Sequence, residues 1–200
     1  MPSEAERLES LWEGEFGSSY TERNSDGYFL RSKFFESIGT IYKPHTVLEV
    51  GCNAGNNLKF LGSASHAECY GLDINKSALR KARVNTPGLN LVYAKARENP
   101  FRDDFFDLTF TCGVLIHQPE ESLRQVMGEL VRTSKRYVLC MEYYRPVRTV
   151  IPYRNETAAL FGDDYGKIYR DEFKLEVLEK GLLRKDQGFD RLTWWMLEKK

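Results

Sequence analysis

Along most of this chain, short apolar runs alternate with longer stretches in which apolar residues recur at helical spacing. The apolar runs predict buried strands over residues 46–50, 67–72, 89–94, 105–111 and 137–141. Apolar residues at helical spacing predict helices over residues 4–12, 27–38, 54–61, 76–84 and 119–131. Strands that alternate with helices are typical of a mostly parallel sheet with helices on both faces.

The C-terminal part of the chain departs from this alternation. Residues 142–170 form a long irregular segment, and residues 171–180 predict a helix that Gly181 stops. Residues 182–197 predict two further strands. These strands must be antiparallel, because only a tight turn at about residues 188–190 joins them. The pattern therefore predicts an α/β domain with seven strands.

Composition narrows the class of protein without giving a function. The 200 residues are 42% hydrophobic and 29% charged, which is typical of a globular domain. Basic and acidic residues number 29 each, so no bulk charge draws the chain to nucleic acid or to a membrane. No apolar run approaches the roughly 18 residues of a membrane span. The polar first residues lack the features of a secretion signal.

The cysteines bear on the cellular compartment of the protein and do not predict a binding site. Cys52, Cys69, Cys112 and Cys140 are scattered, and none forms a C-x-x-C pair. We therefore expect reduced, mostly buried thiols and a cytoplasmic protein. No cluster of histidine, cysteine and aspartate has the spacing of metal ligands, so we expect no metal site.

The segment GCNAGNN, residues 51–57, follows the first predicted strand. In an open α/β sheet, ligands bind beyond the carboxyl ends of the strands, where the strand order reverses. Gly51 and Gly55 let the backbone turn sharply there, and Asn53 tolerates left-handed backbone angles better than most residues. Asp73 ends the second strand 22 positions after Gly51, where an acidic residue commonly binds ribose hydroxyls. The loop therefore predicts a ligand that contains a ribose.

Two ribose-containing ligands compete for this loop. A nicotinamide dinucleotide carries a negative pyrophosphate and favours the spacing G-x-G-x-x-G, which the loop lacks. S-adenosylmethionine (SAM) carries a sulfonium and an ammonium group, and the acidic Glu49 suits both positive charges. We therefore favour SAM. The alternatives are a dinucleotide-dependent oxidoreductase, or a plain turn in which Glu49 forms a structural salt bridge.

Four motifs stand in order along the chain: LEVGCNAGNN, GLD, FRDDFFDLTF and GVLIHQ. In that order and spacing, residues 46–141 resemble the class I SAM-dependent methyltransferases. The flanking segments WEGEFGSSYTERN and IPYRNETAALFGDDYGKIYRDEF resemble the pseudaminic acid biosynthesis-associated methylase family, over nearly the whole chain. The resemblance implies a Rossmann-like seven-stranded sheet, mostly parallel with an antiparallel last strand, with helices on both faces and an N-terminal helical extension.

The resemblance also implies SAM as the cofactor and assigns contacts to it. Glu49, Gly51, Asn53 and Gly55 would line the methionine moiety, and Tyr20 and Arg23 would meet its carboxylate. The further predicted cofactor contacts are Cys52, Asn57, Cys112, Gly113 and Val114. Asp73 would bind the ribose, with Ile74 beside it, and Ala96 and Arg97 would flank the adenine. Such methyltransferases often carry an acid where this chain has Lys95. We therefore expect a backbone contact from Ala96 or Arg97 in its place.

One histidine is a candidate catalytic residue. Methyl transfer depends mostly on alignment with the acceptor, but an acceptor hydroxyl must also lose its proton. His117 follows the fourth strand at the rim that faces the cofactor, and an ordinary histidine pKa suits a general base. The alternative is that His117 only orders its loop or packs against the cofactor. Glu142, which ends the fifth strand, is a weaker candidate.

The segment after the fifth strand interleaves tyrosines with arginines and runs over the same rim. Aromatic rings and guanidinium forks suit a sugar, a carboxylate or a phosphate. We predict acceptor contacts from Tyr143, Tyr144, Arg154 and Tyr165, whereas Trp12 and Phe16 are expected in the core. The expected acceptor is a small molecule, a sugar or sugar nucleotide of a pseudaminic-type or surface-glycan route. RNA or protein as the acceptor, and a module that binds SAM without turnover, are the alternatives.

These inferences divide the single domain into four parts. The predicted parts are an N-terminal helical cap over residues 1–40, a cofactor-binding core over 41–142, an acceptor lid over 143–170, and a C-terminal helix and hairpin over 171–200.

Overall fold

The computed structural model describes residues 2–24, 28–154 and 156–200. Its strands are β1 (Thr46–Val50), β2 (Glu68–Asp73), β3 (Asn90–Tyr93), β4 (Phe106–Cys112), β5 (Ser134–Glu142), β6 (Thr149–Val150), β7 (Phe161–Gly162), β8 (Glu176–Leu182) and β9 (Thr193–Glu198). Its helices are α1 (Glu4–Glu13), α2 (Glu15–Arg23), α3 (Ser32–Tyr42), α4 (Asn56–Ser65), α5 (Lys76–Asn85), α6 (Glu120–Thr133) and α7 (Tyr165–Asp171).

Seven of these strands form one sheet in the order β3-β2-β1-β4-β5-β9-β8. The first five strands are mutually parallel, and β9 runs antiparallel to both of its neighbours. The predicted seven-stranded, mostly parallel sheet is therefore confirmed. The strand order reverses between β1 and β4, so the loops that follow these two strands lie side by side at one edge of the sheet.

Helices cover both faces of the sheet, because successive side chains of a buried strand point to opposite faces. Leu48 of β1 packs in a cluster with Met127 of α6 and with residues of α7. Val47, one position earlier, packs in a second cluster with Phe35 of α3 and Leu58 of α4. The two clusters form the core on either side of the sheet and hold the carboxyl ends of the strands in place.

The N-terminal region contains more helix than the sequence predicted. Ser3 caps α1 in a reciprocal bond pair with Glu6, and α2 was not predicted. The predicted helix over residues 27–38 is a 3-10 turn, Tyr28–Arg31, followed by α3, and residue 27 lies outside the described residues. α3 packs with α4 on one face of the sheet, whereas α1 and α2 lie over the carboxyl edge of the strands. From here on, the cap means α1 and α2.

The prediction for the C-terminal region was partly wrong. The helix lies earlier than residues 171–180, at α7, and residues 176–182 form the edge strand β8. A register irregularity between Val177 and Glu179 breaks the alternation of β8, so its sequence lacks the usual period of a strand. Residues 183–192 join β8 to β9 through a 3-10 turn, Lys185–Gln187, and not through a tight turn. The antiparallel pairing of β8 and β9 is confirmed.

Candidate active site

An open cavity of about 1120 Å³ lies at the carboxyl ends of β1, β2 and β4, beneath the cap. This volume includes the space at the mouth that is open to solvent. Apart from Arg23 and Gly55, every predicted cofactor contact lines it: Tyr20, Glu49, Gly51, Cys52, Asn53, Asn57, Asp73, Ile74, Ala96, Arg97, Cys112, Gly113 and Val114. The sheet therefore brings together residues that lie far apart in the chain.

The loop after β1 has the backbone that its glycines predicted. Gly51 and Gly55 both have φ of +73°, and Asn53 takes the left-handed conformation with φ of +47°. A Cβ at Gly51 would lie 2.4 Å from Cγ2 of Val114, so the two loops at the edge of the sheet meet there in close contact. Gly55 packs against Leu89 behind the loop and shapes the turn without lining the cavity.

Glu49 places a carboxyl group on the floor of the cavity. Its side chain is only 1% exposed, and Oε1 accepts a hydrogen bond of 2.7 Å from Nδ2 of Asn57. Oε2 is buried and has no hydrogen-bond partner among the described residues. Burial raises the pKa of Glu49 to about 8, against the opposing effect of the Asn57 amide. A positively charged ligand group would satisfy Oε2 and favour the ionised carboxylate.

Asp73 fixes the middle of the cavity. Its Oδ2 accepts from the backbone N–H of Asn53 over 2.8 Å, and its Oδ1 accepts from the backbone N–H of Asn75 over 2.8 Å. Burial raises its pKa, although hydrogen bonds from backbone N–H groups oppose the rise. Each carboxylate oxygen can accept a second hydrogen bond, so two adjacent ligand hydroxyls can bind there.

Asn75 links the cap to the part of the cavity where Asp73 lies. Oδ1 of Asn75 caps α5 by accepting from the backbone N–H of Ala78 over 3.0 Å. Nδ2 of Asn75 donates to the carbonyl oxygen of Trp12 in α1 over 3.0 Å. Trp12, predicted as a core residue, lines the cavity and packs edge-on to Phe16 and Tyr20, with ring centroids 5.3 Å away in each case.

His117 lies in the wall of the cavity and is only 9% exposed. Its Nδ1 lies 2.6 Å from the carbonyl oxygen of Ala159. A carbonyl oxygen only accepts, so Nδ1 carries the hydrogen and Nε2 keeps its lone pair. Burial lowers the pKa of His117 to about 4, and the ring is neutral at pH 7. The ring also packs on Trp12, with centroids 4.4 Å apart.

Glu142 holds the turn that carries His117. Its Oε1 accepts from the backbone N–H groups of Val114 and Leu115, at 3.1 and 3.2 Å. Its Oε2 accepts from the backbone N–H of Ile116 over 3.2 Å. Glu142 is fully buried, and burial raises its pKa to about 7. Because its oxygens bind this turn and it does not line the cavity, Glu142 positions the turn and is not a base that could reach an acceptor.

Sequence reasoning missed Arg31, which lines the cavity where Arg23 does not. Nε of Arg31 donates to the carbonyl oxygen of Gly188 over 2.8 Å. Its guanidinium lies between two rings, 4.6 Å from the centroid of Tyr28 and 4.7 Å from that of Phe189. Arg31 reaches the site through contacts with the distant β8–β9 connection, and no local spacing signals such a contact.

The predicted acceptor residues do not form one group. Tyr165 is fully buried and its hydroxyl donates to the carbonyl oxygen of Phe161 over 3.2 Å, so the predicted contact with an acceptor is wrong. Tyr144 packs on Trp195, with Nζ of Lys180 4.7 Å from its ring centroid, away from the residues that line the cavity.

Tyr143 and Arg154, two other residues of the predicted lid, do not line the cavity either. Tyr143 is half-buried, and burial together with the charge of Asp190 raises its pKa to about 12. Arg154 is exposed beside Tyr153, with its guanidinium 5.9 Å from that ring. Tyr153, which the sequence did not single out, packs on His117 with ring centroids 5.3 Å apart. The segment after β5 therefore meets His117 through the ring of Tyr153 and through the carbonyl oxygen of Ala159.

Three further features of the described residues concern membranes, metals and thiols. No helix of the described ranges is long and apolar enough to cross a membrane. Within those same ranges, three or more histidine, cysteine, aspartate or glutamate side chains do not gather into a possible metal site. The four cysteines are free thiols, and three of them are buried.

Comparison with known proteins begins with a family match. Residues 47–136 match the family described as a methyltransferase domain. This segment runs from β1 into β5 and holds Glu49, Asp73 and His117. Most of the cavity wall therefore lies in the matched segment, whereas the cap lies outside it.

Curated relatives share sequence over part of their length. The chain is 38% identical over 137 residues to phthiotriol/phenolphthiotriol dimycocerosates methyltransferase 1 of Mycobacterium ulcerans, a match that covers 66% of this chain and 48% of that protein. It is 30% identical over 98 residues to the probable chloroplastic tocopherol O-methyltransferase of Oryza sativa subsp. japonica, covering 46% and 26%. The chain spans less than half the length of these relatives.

Solved structures share the whole fold at low sequence identity. Magnesium protoporphyrin IX methyltransferase from Synechocystis PCC 6803, with bound SAM, has a TM-score of 0.73 at 15% identity, covering 100% of this chain and 99% of that one. The 1,6-didemethyltoxoflavin-N1-methyltransferase of Burkholderia thailandensis has a TM-score of 0.76 at 11% identity, covering 100% and 92%. The chain therefore has the Rossmann-like methyltransferase fold that the sequence predicted.

Proposed function

We propose that this chain, whose residues 47–136 match a methyltransferase domain and whose fold is that of methyltransferases, transfers the methyl group of SAM to a small acceptor. The observation that carries the proposal is the buried carboxyl of Glu49 with an unsatisfied Oε2, next to the glycine loop. A cationic amino acid moiety suits that group. Asp73 lies at the end of the neighbouring strand, where the ribose of the same ligand would be bound.

Each part of SAM has a partner in the cavity. Glu49, held by Asn57, would bind the ammonium group, and Arg31 supplies a guanidinium for the carboxylate. Asp73 would accept hydrogen bonds from the ribose hydroxyls. We give Arg31 the role that the resemblance gave to Arg23, because Arg31 lines the cavity and Arg23 does not.

The same residues disfavour a nicotinamide dinucleotide. Its pyrophosphate is negative and binds to backbone N–H groups of a glycine-rich turn. Here the turn has Asn53 in place of a glycine, and the ionised form of Glu49 would repel a phosphate. A sulfonium and an ammonium group avoid both problems.

When bound, SAM supplies a methyl group on a positively charged sulfur that leaves as a neutral thioether. The protein contributes alignment, which accounts for most of the rate in such a transfer. Nε2 of His117 keeps its lone pair in the cavity wall, so it can accept a hydrogen bond from an acceptor hydroxyl. During methylation of such an acceptor, Nε2 would take up the hydroxyl proton and pass it to water. The low pKa of His117 makes it a weak base, so its main contribution is to orient the acceptor.

The acceptor we propose is a sugar or a sugar nucleotide of nonulosonic acid or surface-glycan synthesis. A second cavity adjoins the first and shares Tyr28 and Arg31 with it. Its other walls include the polar side chains of Asn24, Lys185 and Asp190. Aromatic faces beside charged and amide groups suit a hydroxylated, charged small molecule. The resemblance of the flanking segments to the pseudaminic acid biosynthesis-associated methylases supports the same class.

Formation of S-adenosylhomocysteine tests this function. Purified protein with SAM is offered nonulosonic sugars, their nucleotide-linked precursors, total RNA and a protein extract, and Asp73→Ala is the matched control. Product that depends on a sugar or sugar nucleotide and is lost in Asp73→Ala supports the proposal. Product with RNA or protein alone would assign the acceptor to a macromolecule. Binding of S-adenosylhomocysteine without turnover on any acceptor would indicate a module that holds the cofactor and does no chemistry.

A further inference from the structure

The turn after β3 lies beside a carboxylate that comes from the cap. Glu9 of α1 lines the cavity together with Ala96 and Arg97. Its Oε1 accepts from Nε of Arg97 over 2.5 Å, and its Oε2 accepts from Nη2 of Arg97 over 3.0 Å. Nζ of Lys95 lies 3.1 Å from Oε2. The cap and the turn after β3 are therefore joined by two ion pairs at the wall of the cavity.

These contacts fix the carboxylate without using all of its capacity. An ionised carboxylate accepts about four hydrogen bonds, and Arg97 and Lys95 account for three. The side chain of Glu9 is 16% exposed, so solvent has little access to the remaining position. Burial alone would raise the pKa of Glu9, but the two basic partners lower it below its usual value. Glu9 is thus an ionised acceptor with one place open.

The carboxylate of Glu9 lies beside a turn in which the residue before Ala96 is not acidic. If Glu49 binds the ammonium group and Asp73 binds the ribose, as proposed, the purine would lie in the remaining part of the cavity, beside Ala96. The chain has Lys95 before Ala96, and a lysine cannot accept a hydrogen bond. Lys95 instead holds Glu9, which presents an acidic group to that same part of the cavity.

We propose that Glu9 accepts a hydrogen bond from the 6-amino group of adenine and makes the site select adenosine over inosine ligands. This inference rests on the proposed SAM site. An inosine base carries an oxygen at that position, which would face the carboxylate as a second acceptor. A site that hydrogen-bonds a ligand N–H rejects an analogue that lacks it, because the buried partner is left unpaired.

A purely structural role of Glu9 predicts a different result. If Glu9 only joined the cap to Arg97, its replacement would weaken adenosine and inosine ligands by the same factor. The ratio of the two dissociation constants therefore separates the roles. Glu13 offers a matched control on the same helix, because it also bonds to the sheet, through the hydroxyl of Tyr93, and does not line the cavity.

Calorimetric titration of S-adenosylhomocysteine and S-inosylhomocysteine into wild type, Glu9→Gln and Glu13→Gln tests the proposal. We expect wild type and Glu13→Gln to prefer the adenosine ligand by on the order of tenfold or more, and Glu9→Gln to bind the two almost equally. Equal binding by wild type, or an unchanged ratio in Glu9→Gln, would overturn the role of Glu9 and leave the SAM site standing. Failure of wild type to bind either ligand would overturn the proposed function as well.

Discussion

Nδ2 of Asn57 donates to Oε1 of Glu49 over 2.7 Å, and the second carboxyl oxygen of Glu49, a residue that lines the cavity, is buried without a hydrogen-bond partner among the described residues. Leaving a buried oxygen unsatisfied costs free energy unless a ligand supplies the missing hydrogen-bond donor. The pair therefore indicates a binding site for a cation more directly than the glycine loop does.

Replacement of Glu49 by Gln should weaken S-adenosylhomocysteine by roughly tenfold to a hundredfold, because the ammonium group loses a charged partner. Methylthioadenosine lacks the amino acid moiety, so its affinity should stay the same. Calorimetric titration of both ligands into both proteins checks this. A loss that is equal for the two ligands would show that the variant disturbs the whole cavity and does not remove one contact.

Ligand binding should release a proton from Glu49. Its pKa is about 8 in the free site, so at pH 6.5 the carboxyl is mostly protonated, and an ammonium beside it favours the ionised form. Titration of S-adenosylhomocysteine at pH 6.5 in buffers of different ionisation enthalpy should report about one proton released per site. The release should vanish in Glu49→Gln and with methylthioadenosine. No release by wild type would mean that Glu49 is already ionised or lies away from the ammonium.

Arg31 and Arg23 give opposite expectations. Arg31→Ala should weaken S-adenosylhomocysteine by on the order of tenfold, since the ligand carboxylate loses its guanidinium partner. Arg23 is exposed and does not line the cavity, so Arg23→Ala should bind like wild type. Fluorescence or calorimetric titration of the two variants is sufficient. A larger effect of Arg23→Ala would restore the assignment that the resemblance implied.

His117→Ala should lower turnover by on the order of a hundredfold once an acceptor is known, because the acceptor loses the hydrogen bond that orients it, while S-adenosylhomocysteine still binds. Because burial lowers the pKa of His117 to about 4, the imidazole is neutral above pH 5, and turnover by wild type should not fall between pH 8 and pH 5.5 through this group. The rate-against-pH profile measures this. An acidic limb centred near pH 6.5 that disappears in the variant would show a solvated histidine acting as an ordinary base.

The parts of the site that follow a strand were predictable from the sequence. Glu49 and Asp73 end buried apolar runs, and parallel strands bring their carboxyl ends to one edge. Asn53 has the left-handed backbone that its position in the loop indicated. Such signals are local, so the sequence alone carries them.

The residues that reach the site from elsewhere were not predictable in this way. Glu9 and Arg31 enter the wall through packing of the cap and of the β8–β9 connection, and their neighbours in sequence give no sign of it. Tyr165 illustrates the reverse error, since a tyrosine in an aromatic, arginine-rich segment is fully buried in the core. Strand β8 was mistaken for helix because its pairing with β9 overrides a local pattern that an irregularity in register has broken.

Calorimetric titration of S-adenosylhomocysteine into wild type and Asp73→Ala, with NADH as a second ligand, tests the central claim most directly. Asp73 accepts from the backbone N–H groups of Asn53 and Asn75 and faces the cavity, so its loss should remove both the ribose contact and the order of the loop. We predict that wild type binds S-adenosylhomocysteine and not NADH, and that Asp73→Ala binds at least about tenfold more weakly. Binding of NADH in preference, or no binding of S-adenosylhomocysteine by wild type, would contradict the assignment of this cavity to SAM.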